Sequence, residues 1–144
     1  MAGQSMRQPE EVLRDLVRRW IAKADGDYAA AGQLLKSPGQ VREIIAFHCQ
    51  QASEKYLKAL MVRLAVEFPK THDIGLLLEL LAAAMPDFAS ALSDVKALTP
   101  YGVEVRYPGD FPDVLPGQDA AAFDLATRVK ASVMGLLESY LAEH

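Results

Sequence analysis

A chain of 144 residues, about half of them apolar and 24% charged, suits one soluble domain built around a single core. Its net charge of −4 excludes a general nucleic-acid coat protein, which is basic, yet leaves room for a local basic cleft. Cys49 is the single cysteine, which excludes an intrachain disulfide and a cysteine-based metal cluster.

Residues 1–8 read as a flexible tail and residues 9–144 as one helical domain. No apolar run is long enough to span a membrane and no signal-peptide core opens the chain, so a cytoplasmic protein without membrane association is expected. Pro9, Glu10 and Glu11 suit the first turn of helix one, because Pro loses no helical bond there and acids complement the dipole. Leu13, Leu16, Val17, Trp20, Ile21, Ala24, Tyr28, Ala31 and Leu35 then recur at helical spacing. Gly26 and Gly32 weaken this helix without ending it. Arg14, Arg18 and Arg19 form a basic patch, expected to be a solvated face. Ser37-Pro38-Gly39 ends the helix, and Ser37 or Gln40 is expected to cap the next.

Helix two, from about Gln40 to Glu67, organises the rest. It holds good helix formers and neither Gly nor Pro. Ile45, Cys49, Ala52, Tyr56, Ala59 and Leu60 share one apolar face, Leu57 and Leu64 lie elsewhere on the wheel, and a helix apolar on most sides is packed on most sides. His48, Gln51, Lys55 and Lys58 make a polar stripe, with Glu54 beside it and four residues before Lys58, the favourable order for an ion pair. Two readings stay open: a solvated face with one i,i+4 pair, or a cleft lined by Gln51, Lys55 and Lys58 that binds an anion. The helix should end near Phe68-Pro69.

Thr71 or Asp73 can cap helix three, from about Ile74 to Met85. Phe88, Leu92, Val95 and Leu98 mark a short fourth helix after Pro86. Thr99 to Gly117 carries four prolines and three glycines and is too broken for a helix or strand. It also carries Tyr101, Arg106, Tyr107 and Phe111, so it should pack on the bundle. Helix five runs from about Gln118 or Asp119 to Leu141. The fold class is therefore all-α, an antiparallel bundle of about five helices. His72 at a helix start reads as a capping residue, and His48 as either a general base or a satisfied interior imidazole. The three histidines lack metal-site spacing, so no metal or cofactor is expected.

The run Gln50-Gln51-Ala52-Ser53-Glu54-Lys55-Tyr56-Leu57-Lys58-Ala59-Leu60 resembles the signature of HEPN domains, roughly QQAxEKxxKAL. Trp20 to Tyr28 looks like that family's first helix, Pro69-Lys70-Thr71-His72-Asp73-Ile74 like its P-x-T-H-D turn, and Arg106-Tyr107-Pro108 like its R-Y-P segment. The resemblance implies a four-helix up-down core plus a short extra helix, and often a homodimer. Many such domains are metal-independent ribonucleases with an Arg followed by a His four to six residues later, near the start of the last helix. No His follows Arg106 at that spacing, and Arg42 with His48 fits it only in the wrong element. The R-Y-P subgroup looks like a nucleotide- or RNA-binding form encoded beside a minimal nucleotidyltransferase. The resemblance thus implies a non-catalytic module in a toxin–antitoxin-like system that binds a nucleotide or RNA phosphate. Gln51, Lys55, Lys58, Arg106 and Tyr107 would hold the ligand, and Glu54–Lys58 would be a structural ion pair. The alternatives are a ribonuclease toxin using Arg106 and His48, and a purely structural, partner-binding bundle.

Overall fold

The computed structural model describes residues 7–37, 41–102 and 113–143. All regular structure among them is helical: α1 Pro9–Leu35, α2 Arg42–Arg63, α3 Ile74–Ala82, α4 Pro86–Ala91, a 3-10 helix Ser93–Gly102, and α5 Gln118–Ala142. The fold is the all-α bundle that the apolar spacing requires. Of the expected tail, residues 1–6 lie outside the described residues, and Gln8 is the N-cap of α1.

α2 lies at the centre. Ile45, Cys49, Ala52, Tyr56, Leu57 and Leu60 are all buried, so both its main apolar face and the side carrying Leu57 are covered. α1 runs antiparallel to it, since Asp27 meets Lys55, Asp25 meets Tyr56, and Trp20 lies beside Lys58. α5 runs antiparallel to α1. Tyr28 stacks on Phe123 near one end of that pair, and Arg14 donates to the Tyr140 carbonyl at the other.

Several boundaries differ from the sequence reading, each for a local reason. α2 stops at Arg63, not near Phe68. Ala65 takes a left-handed φ of 57°, and its N–H and that of Val66 bond back to Val62 and Met61. This is a Schellman stop with alanine where glycine is usual. The N-cap of α2 is Val41, and no side chain caps it; the Ser37 hydroxyl donates instead to Gln33 within its own helix. At α3 the Asp73 carboxylate accepts from the Leu76 N–H, so Asp73 is the cap, while Thr71 accepts from the Asp73 N–H. α3 ends at Ala82. The single expected fourth helix is α4 followed by the 3-10 run, which takes in Thr99 to Gly102 and so includes Pro100. That corrects the start of the broken stretch. Arg14 also departs from the expected solvated face: it is buried, donating to the Tyr140 carbonyl and the Glu143 carboxylate. No described helix is long and apolar enough to cross a membrane.

Candidate functional site

The polar stripe of α2 divides between two carboxylates. On one side stands Glu54, itself on α2 and 3% exposed. Its Oε2 accepts from Lys58 Nζ at 3.0 Å, while its Oε1 accepts from Gln50 Nε2 at 3.2 Å and lies 2.7 Å from His72 Nδ1. Lys58, 6% exposed, also donates to the Thr71 carbonyl at 2.9 Å, and its ammonium sits 5.6 Å and 5.5 Å from the ring centres of Trp20 and Phe68. A buried charge needs such enclosure by partners. The pair is therefore no exposed i,i+4 contact.

Gln50 ties this cluster to its surroundings. Its amide also donates to the His72 carbonyl at 2.9 Å, and its carbonyl accepts from Gln51 at 2.7 Å. Gly102, the last residue of the 3-10 helix, lies so close that a Cβ there would come within 2.6 Å of the Gln50 side chain. Only glycine lets the backbone approach that amide. His72 does not cap α3. A carboxylate oxygen only accepts, so the His72 Nδ1–H donates to Glu54 and Nε2 is left for another partner. The His72 side chain is 67% exposed.

On the other side stands Asp27 of α1. It accepts from Lys55 Nζ at 2.5 Å and faces His48 Nδ1 at 2.9 Å. Next to it, the Tyr56 hydroxyl donates to Asp25 at 2.5 Å. Burial first, then that bond to a carboxylate, pushes the Tyr56 phenol well above its usual range. The arrangement is repeated: each carboxylate grips one lysine and one imidazole by Nδ1.

Gln51, Lys55 and Lys58 thus share a face of α2, but both lysines already hold a carboxylate. Arg106 and Tyr107 lie outside the described residues. Spacing within α2 alone had no means to supply Asp27, the partners of Gln50 or the role of His72. Asp27 is the one with a signal: an acid on the inward-facing α1 run, opposite a helix carrying two lysines. Among the described residues no three His, Cys, Asp or Glu side chains converge as a metal site.

The family described as HEPN domain matches residues 17–134, which takes in α2, the Glu54 cluster and Asp27. The chain belongs to the HEPN domain family. No curated protein and no solved structure matches it. Within this HEPN domain the QQASEK run has a physical meaning. Gln50, Glu54 and Lys58, spaced by four, place an amide, a carboxylate and an ammonium in one buried row that fastens the turn holding His72.

Proposed function

We propose that this HEPN domain binds a nucleotide or RNA phosphate at the face carrying Gln51 and His72, works as a homodimer, and serves beside a minimal nucleotidyltransferase in a toxin–antitoxin-like pair. The observation that carries the binding role is the exposed His72 imidazole, locked by Nδ1 onto buried Glu54 with Nε2 open. With Nδ1–H held by Glu54, the imidazolium form of His72 turns an Nε2–H outward beside an amide donor, and two such donors suit a phosphate oxygen. Lys55 and Lys58 orient this face, and their charges are balanced by Asp27 and Glu54. The uncompensated cation the ligand needs is assigned to Arg106, four residues past the Gly102 that abuts Gln50. Guanidinium fits phosphate through paired hydrogen bonds, and Tyr107 supplies a stacking face for a base.

Titration with nucleoside triphosphates and short RNA oligomers tests this. Saturable binding that weakens with salt is expected. It should be lost in Arg106→Ala and reduced in His72→Ala, with the melting temperature of Arg106→Ala unchanged. Absence of saturable binding, or unfolding of Arg106→Ala, rejects the role. The same RNA, incubated in chelator, examines the ribonuclease reading. That reading is favoured by the carboxylate-backed imidazoles His48 and His72, the arrangement a general base requires. Cleavage abolished by His48→Ala or His72→Ala would select it.

A further inference from the structure

The HEPN match begins at Val17, so the first turns of α1 precede it. There the outward side of the helix is most apolar. Val12 is 50% and Leu16 42% exposed, and Trp20, one turn on, is partly covered. Arg19 and Lys23 project from the same side by helical geometry. Positions 12, 16, 19 and 23 repeat at four, three and four residues, the spacing of a heptad seam. A hollow of about 190 Å³ lies among Leu16, Arg19, Trp20 and Lys23.

The charges on this seam are unmatched. Among the described residues neither Arg19 nor Lys23 makes an ion pair or hydrogen bond. Asp15, whose carboxyl feels Arg19, is held by Arg7 and Arg18. Asp27, further along α1 and turned towards α2, is held by Lys55 and His48. A second copy of α1 centred on Leu16, the middle of the exposed apolar run, does not supply the missing acid. Paired in parallel, Arg19 meets Arg19; paired antiparallel about Leu16, Arg19 and Lys23 meet Leu13 and Pro9.

We propose that this face of α1 docks one amphipathic helix of another protein. That helix sets aliphatic side chains against Val12, Leu16 and Trp20, and carboxylates against Arg19 and Lys23. Aromatic and Arg side chains beside a hollow are the residues that anchor such contacts, and opposite charges along the seam fix orientation and partner choice.

Trp20 is the only tryptophan and lies between this face and the Lys58–Phe68 contact, so its emission reports on this face and on that contact. The full chain is titrated with two synthetic amphipathic helices of about three heptads. Both carry leucine along the first half of the seam; one carries glutamate along the second half, the other lysine. The glutamate helix should bind saturably and shift Trp20 emission, with the lysine helix at least about tenfold weaker. Arg19→Glu combined with Lys23→Glu should reverse that preference. Leu16→Asp should abolish both, and all variants should melt near wild type because the positions are exposed. The proposal is overturned if the glutamate helix does not bind, if the charge reversal leaves the preference unchanged, or if phosphatidylglycerol vesicles shift Trp20 where the helix does not. It is overturned equally if light scattering shows Leu16→Asp splitting a dimer, since a second copy then covers the face. Should the double variant unfold, loss of the wild-type preference for glutamate over lysine in high salt decides the charge term.

Discussion

Glu54 shows how much one side chain can hold. It is the common acceptor for Lys58, Gln50 and His72, drawn from two separate stretches of chain. Glu54→Ala leaves the Lys58 ammonium buried with one carbonyl and two aromatic rings. Breaking a buried pair from one side costs about 3–5 kcal/mol, so urea unfolding should show a loss of that size. A loss under about 0.5 kcal/mol is what an exposed pair would give. Gly102 tests the same cluster from outside it. In Gly102→Ala the new methyl meets a buried, hydrogen-bonded Gln50, and overpacking of this kind costs about 1–3 kcal/mol. His72 should become more mobile in the same variant, visible as broadened imidazole resonances. The Glu54–Lys58 spacing was legible in the sequence because both residues sit on one helix. The other partners were not. Gln50 looks like any polar helix residue until His72 and Gly102 fold over it, and His72 looks like a cap until Asp73 takes that position.

The end of α2 marks the limit of local signals at the element scale. Phe68-Pro69 suggested an end one turn too late, because Pro forbids continuation but does not say where the helix stops. The stop is made by Ala65 at φ 57°, and alanine is no sequence signal for a left-handed residue. That conformation costs about 1–2 kcal/mol with a Cβ, and glycine returns part of it as unfolded-state entropy. Ala65→Gly should therefore stabilise by about 0.5–1 kcal/mol, measured as a higher urea midpoint with unchanged slope. A destabilised variant would mean that the alanine methyl has packing value there. The 3-10 run was missed for a related reason. Pro100 and Gly102 break an α-helical pattern, yet short, tight turns accommodate both. By contrast α1 and α5 were readable almost to their ends, since long runs with helical apolar spacing have one way to bury their stripes.

At the scale of the molecule, the core sets a limit at high pH. Burial, and then the negative charge of Asp119, pushes the Cys49 thiol up to about 12, and the Tyr56 phenol is raised as well. Both groups hold their protons more tightly when folded. Between the ordinary thiol value of 9.0 and about 12 the unfolded chain binds fewer protons than the native one. Stability should thus be intact below about pH 9 and fall progressively above it. Denaturant midpoints measured from pH 8 to pH 11 check the sign, and Cys49→Ala should flatten part of the slope. Native Cys49 should also resist thiol reagents until unfolding exposes it.

The Arg14 clasp reaches beyond stability. Its guanidinium joins the Tyr140 carbonyl and the Glu143 carboxylate, and Arg18 donates to the Leu141 carbonyl. The start of α1 and the end of α5 are therefore neighbours, and the path through the helices is a ring lacking one short arc. A linker of about ten residues spans from residue 142 to residue 9, and the ring can be reopened at exposed Ala84 between α3 and α4. Such a circular permutant should give the parent circular dichroism spectrum and a cooperative melt. The order in which the helices are synthesised would then be incidental to how they assemble.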